Sequence, residues 1–206
     1  MKKKIIMATM LIGLALCIPT HAHASTGTAK SQSQLEKTLT DRSVDTIKIS
    51  TSKKTILTIP SGSYNKKLII NAPNVRFINN GKFSDVTIKN LTKYTENTKG
   101  NSLNVTDDKL SVNISKNASL KNITVSNEKA KLHLIADGNV SKLTINSAKI
   151  VGVHGAHKKP INVIANDKDT KINISSLVAF MTGDIHEIKS VIATNHVPMN
   201  LIIFFI

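Results

Sequence analysis

Asp107 and Asp108 are the best-clustered carboxylates in the chain, so they are the first place to look for general acid–base work. Glycoside hydrolysis needs two acids converging on one bond, and lyase chemistry needs acids that hold Ca²⁺ beside an Arg or Lys base. The pair lies between Val105 and Leu110, where the flanking pattern implies a turn. The segments one and two repeats later offer Asn127-Glu128 and Ser147 in place of a second acid pair. Both aspartates are therefore expected to shape a turn. His154 and His157, together with His133, have the chemistry of metal ligands, but no carboxylate or thiolate stands beside them. An exposed, glycine-containing corner is the expectation for His154 and His157. Asp167 and Asp169 form a D-x-D that is expected to be a polar turn, with weak Ca²⁺ binding as the alternative. No catalytic residue, metal site or cofactor is assigned.

The elements that must carry these residues are legible as a repeat. Leu103-Asn104-Val105 is echoed 20 residues on by Ile123-Thr124-Val125 and again by Leu143-Thr144-Ile145. Val112-Asn113-Ile114 is echoed by Leu132-His133-Leu134 and by Ile172-Asn173-Ile174, and Leu120 and Val140 mark a third apolar point. Alternate side chains of a strand point to opposite faces, so Leu103 and Val105 go inward and Asn104 outward. A repeat of this kind cannot bury its apolar face alone and must stack on its neighbours. Two strands and a third apolar point per turn suit a coil with three narrow faces. The predicted fold is all-β: a parallel β-helix, or β-solenoid, of about seven rungs near 20 residues each, spanning residues 34–176.

Further strands are expected at 47–49, 56–59, 68–70, 77–78 and 86–88, with Gly62, Asn71, Asn80 and Gly81 at corners. Ser33 followed by Glu36 reads as a capping box, and Leu35 with Leu39 gives a short helix one apolar stripe, suited to covering the open end of the coil. Residues 25–33 read as a flexible leader.

These features resemble the pectate-lyase-like right-handed β-helix proteins and, more narrowly, secreted β-helix repeat proteins of Gram-positive bacteria. The resemblance rests on Leu35-Glu36-Lys37-Thr38-Leu39, on Ile59-Pro60-Ser61-Gly62-Ser63-Tyr64, on Leu68-Ile69-Ile70-Asn71-Ala72-Pro73 and on the repeats. It implies a fold and transfers no catalytic residue. The β-helix polygalacturonases use acids with a Gly-His-Gly element, which Val153-His154-Gly155-Ala156-His157 resembles only in part.

Lys2, Lys3 and Lys4 precede an apolar run from Ile5 to Ile18, followed by Pro19 and Ala22-His23-Ala24. This is the pattern of a secretory signal peptide, residues 1–24, with the mature chain starting at Ser25. Cys17 is the chain's one cysteine, and Leu16 stands where a lipoprotein box needs a small residue. A mature chain without cysteine has no disulfide and no thiolate chemistry. At the other end, residues 177–206 read as an irregular apolar tail closing on Leu201-Ile202-Ile203-Phe204-Phe205-Ile206. That run is too short to span a membrane and suits a cap, a membrane contact or a solenoid cut short.

Removing three signal lysines leaves 25 basic against 13 acidic residues, a net charge of +12. A strongly basic exported protein is expected to adhere to polyanions, here an anionic cell-wall polymer or polysaccharide. Nucleic acid is not expected, because Trp is absent and the only arginines are Arg42 and Arg76. The polar stretch 89–100 interrupts the rhythm and is expected to project as a loop. Lys89, Lys93, Tyr94 and Lys99, with Tyr64, are accordingly the candidate binding residues. Seven N-x-S/T sequons, at Asn90, Asn104, Asn113, Asn117, Asn122, Asn139 and Asn173, fit an Asn- and Thr-rich β-helix exterior. The expected function is a non-catalytic surface or extracellular module; a carbohydrate-active enzyme and a plain spacer are the alternatives.

Overall fold

Alternation of branched apolar and polar residues closes the chain into a stack of parallel turns. The computed structural model describes residues 24–156, 159–174 and 179–181, so the predicted signal peptide, His157 and nearly all of the predicted tail lie outside the described residues. The protein is a β-solenoid of about seven turns. Its first face stacks β2 (Val44–Ser50), the start of β4 (Lys67–Lys82), the start of β5 (Asp85–Glu96), β6 (Lys99–Val105), β8 (Ser119–Ser126), β11 (Lys142–Ser147) and β13 (Ile161–Ala165). The second face stacks β3 (Thr55–Ser63), the later parts of β4 and β5, β7 (Lys109–Ile114), β9 (Lys131–Ala136), β12 (Ile150–His154) and β14 (Lys171–Ile174). β10 (Asn139–Val140) pairs with Ser119-Leu120 on a short third side, while β1 (Ser25–Ala29) and β15 (Ala179–Met181) add to the first face. β4 and β5 turn a corner without leaving the strand conformation, which joins the faces.

The core consists of columns. Leu103, Ile123, Leu143 and Val163 lie in register on successive turns of the first face, none more than 1% exposed. Leu57, Phe77, Tyr94, Val112, Leu134 and Val153 form the matching column of the second. Corners repeat as well: the backbone N–H of Lys109, Lys129 and Asp169 each donates to the side-chain oxygen two residues earlier, on Asp107, Asn127 and Asp167. These are Asx turns, in which a short polar side chain fixes its own bend. Outside them, Asn166 Nδ2 donates to Asn146 Oδ1 at 2.9 Å and Asn146 Nδ2 to Ser126 Oγ at 3.0 Å, so amides tie turn to turn. The expected turn at Asp167 and Asp169 is thus present.

The strand echoes on the second face require a correction. Val112 pairs with Leu134 and Ser111 with His133, two residues off the echo read from sequence, and Val151-Gly152-Val153 is the turn between Leu132-His133-Leu134 and Ile172-Asn173-Ile174. A shift of two leaves every side chain on its own face.

The cap also differs in detail. Helix α1 (Gln32–Thr40) starts after Ser31, whose hydroxyl accepts from the Gln34 N–H, while Gln34 Oε1 accepts from the Lys30 N–H. The capping residues therefore sit two positions before the expected Ser33 and Glu36. Leu35 and Leu39 are buried on the first turn as expected. The predicted flexible leader is instead mostly the strand β1, paired with β2 from Ser25 to Ala29. Gln32 completes the seal: its amide nitrogen donates to Thr58 O and its amide oxygen accepts from Thr58 N–H, both at 2.9 Å, on the outer edge of β3. A side-chain amide thereby takes the place of a neighbouring strand.

Gly138 marks a tight corner. A Cβ there would press into the carbonyl oxygens of Ser115 and Ala118. Gly138→Ala is expected to lower stability by about 3 kcal/mol, the upper end for forced overpacking, read as a reduced melting temperature.

One polar group sits deep in the coil. Glu96, fully buried, receives four donors: Asn79 Nδ2 at 3.1 Å, Asn101 Nδ2 at 3.1 Å, Thr98 N–H at 3.0 Å and the Tyr94 hydroxyl at 2.9 Å. The Asn79 and Asn101 amide oxygens accept from the N–H groups of Gly81 and Phe83, which fixes both amides with their nitrogens toward the carboxylate. Burial raises the Glu96 carboxyl above its ordinary value, against the opposing pull of these hydrogen bonds. Burial and the adjacent Glu96 charge push the Tyr94 phenol well up.

Candidate functional site

The expected projecting loop does not exist. Residues 85–96 and 99–105 are strands β5 and β6, so the stretch 89–100 is two sides of a turn. The four residues selected from it and Tyr64 are scattered. Tyr94 packs inside against Phe77, ring centroids 6.1 Å apart, and is no surface residue. Tyr64 stacks on Phe83 at 5.3 Å and donates to Pro60 O, covering the third side of the coil. Lys89 is exposed at a bulge that ends the first face, and Lys99 is exposed where β6 pairs with β8. Lys93 alone faces outward on the second face, in register between Arg76 and Ser111.

That second face carries an apolar-floored groove with a volume of about 690 Å³. Outward positions on its strands fall into columns, each set by the parallel register. Lys109 and Lys131 are adjacent in one column, followed by Ile150 and Lys171. Neighbouring turns lie about 4.8 Å apart, so the column presents ammonium groups at the spacing of the strands. Lys129 and Lys149 border it from the corner, where Asp108 and Glu128 are the nearby acids. With Lys168 this edge carries six lysines against Asp107, Asp108, Glu128, Asp167 and Asp169, a small excess of positive charge that is greatest at Lys109 and Lys131. Like charges so spaced repel, and an anionic polymer would relieve that repulsion.

Arg76, Lys93, Ser111, His133, Gly152 and Asn173 form the next column. His154 is the last residue of β12, half-buried on the sheet and not in the exposed corner expected for it. The register brings it beside His133, ring centroids 4.9 Å apart. Burial lowers the His154 imidazole below its ordinary value, and the neighbouring His133 charge adds to this.

Asp107 and Asp108 sit at the groove's rim with Asp107 committed to the backbone: its two oxygens accept from the N–H groups of Leu91 and Lys109. Burial raises its carboxyl against those hydrogen bonds, and the Asp108 charge raises it further. Asp108 accepts from Asn127 Nδ2 at 2.8 Å on the next turn. The pair thus shapes a corner. Among the described residues no cluster of three or more His, Cys, Asp or Glu side chains is set to hold a metal, and no helix is long and apolar enough to cross a membrane.

The lysine column, and the register that brings His133 against His154, are hidden in the sequence pattern for one reason. Lys109 and Lys131 are 22 residues apart and His133 and His154 are 21 apart, off the 20-residue period that organises the first face. Comparison with protein-family models, with curated proteins and with solved structures returned no match.

Proposed function

We propose that the protein is an exported, non-catalytic β-solenoid module that binds anionic cell-wall polymer or polysaccharide along the groove of its second face. The observation that carries this reading is the in-register pair Lys109 and Lys131, extended by Lys129, Lys149 and Lys171 on one edge. Export rests on the predicted signal peptide. A rigid sheet holds the ammonium groups in a line, so a polymer with regularly spaced charges meets several at once without ordering the protein first. Each contact releases a counterion, and binding through several must weaken steeply with salt.

The test is retention of the purified mature chain on immobilised teichoic acid and on polygalacturonate. Retention at low ionic strength and elution by about 0.5 M salt are expected. Lys109→Gln with Lys131→Gln and Lys149→Gln should flatten the salt dependence by about 2 to 3 charges, whereas Lys89→Gln with Lys99→Gln, on other sides of the coil, should change it much less. Equal losses from both sets would mean diffuse charge and no groove site. Turnover of either polymer would establish an enzyme, and no retention would leave a spacer.

A further inference from the structure

We propose that His133 and His154 form a two-histidine site for a borderline divalent cation such as Zn²⁺ or Cu²⁺, seated over Gly152. The argument starts from the missing side chain. Gly152 occupies the outward position between His133 and Asn173 in its column, where the turns on either side carry a full side chain. A Cβ built on Gly152 would stand 3.2 Å from His154 Nε2 and 3.8 Å from His133 Cδ2, the ring atom bonded to His133 Nε2. His154 Nε2 and the Cδ2 edge of His133 therefore both lie over Gly152, which leaves room for the two rings to approach each other where they line the groove. Strands β9 and β12, hydrogen-bonded along five residue pairs, fix the two backbones.

Chemistry agrees with the geometry. Neutral imidazole is the preferred nitrogen ligand of Zn²⁺ and Cu²⁺, at about 2.0–2.1 Å for zinc. The 4.9 Å centroid separation is of the order that lets small χ2 rotations bring two nitrogens onto one ion. Asn173, on the next turn of the column, lies where an amide oxygen can reach the same gap, and water fills the remaining positions. Lys131, two residues before His133 on the same face, adds a repulsive charge that sets the affinity below that of a closed structural site. The imidazole donors themselves disfavour hard cations such as Ca²⁺ and Mg²⁺, for which imidazole is a poor ligand.

The two histidines line the same groove as the proposed polymer site, so the metal site is tested with no polymer present. Zn²⁺ titration of the chain beginning at Ser25 by calorimetry, at pH 7.5, should show a site that His133→Gln or His154→Gln weakens about tenfold or more and the double variant abolishes. The remaining histidines, His157, His186 and His196, stay in every variant and serve as the internal control. Gly152→Asn, whose side chain must push the His154 ring aside, should weaken the site as strongly while keeping both histidines in the chain. Cu²⁺ electron paramagnetic resonance should show two nitrogen ligands in the parent and one in either single variant. Circular dichroism of each variant should match the parent, since all three positions face outward. Equal Zn²⁺ affinity and stoichiometry in the parent and the double variant would overturn the proposal, as would a copper spectrum unchanged by both single substitutions.

Discussion

Leu143→Asp is expected to yield a chain with no cooperative thermal transition. Leu143 is fully buried and stands in register between Ile123 and Val163, with only apolar neighbours in its column. A carboxylate at that point has no cation and no donor to meet it, which costs about 3–5 kcal/mol, comparable with the roughly 5–15 kcal/mol that holds a whole domain together. The loss is amplified by architecture, because each turn of a solenoid is supported only by its neighbours, and a failed turn separates the two halves of the stack. Asn104→Thr is the control. Its column neighbours are Thr87 and Thr124, so Thr fits the outer face at the cost of one hydrogen bond to Asp85, and a change of about 1 kcal/mol or less is expected. A Leu143→Asp variant that melts with the parent would place residue 143 on the outside.

Glu96→Ala should be the most damaging substitution at a polar position. It strips the acceptor from four buried donors at once, on Asn79, Asn101, Thr98 and Tyr94. Allowing for relaxation, a loss of about 3 kcal/mol or more is expected. Glu96→Gln keeps one acceptor oxygen and should lose less. The pH dependence separates the two roles of the carboxylate. Its folded pKa is raised above the ordinary 4.5, so the folded chain binds the proton more tightly. The group's contribution to stability is therefore complete below pH 4.5 and declines as pH rises through the folded value. Denaturant melts of the parent and the Gln variant from pH 4 to pH 8 should show the difference between them shifting in favour of Gln as pH rises. A difference constant across that range would mean that Glu96 titrates alike in the folded and unfolded chains.

These two positions also explain how much of the molecule the sequence discloses. Leu103, Ile123 and Leu143 recur at a fixed spacing because the first face has equal turns from Leu103 to Val163, and from them the coil, its alternation and its inward residues are readable. Glu96 did the opposite. A charged residue at an inward position breaks the alternation, which is why the sequence reads the later part of β5 as a projecting loop and Tyr94 as a surface ligand. The partners that make the charge tolerable, Asn79 and Asn101, lie 17 and 5 residues away and have no local signature. On the second face, corners of unequal length absorb one or two residues per turn, which hides the register on which the groove depends. The lysine column and the histidine pair become visible only when strands are placed side by side.

The seal at the first turn has a consequence for assembly. A solenoid grows into an open-ended fibre only if both ends of each copy can accept another, as heterologous contacts propagate without closing. At the N-terminal end, α1 covers the core with Leu35 and Leu39, and Gln32 occupies the backbone edge of β3 at Thr58. That end acts as a chain terminator. A second copy stacking on this end would first have to displace the helix and the Gln32 amide.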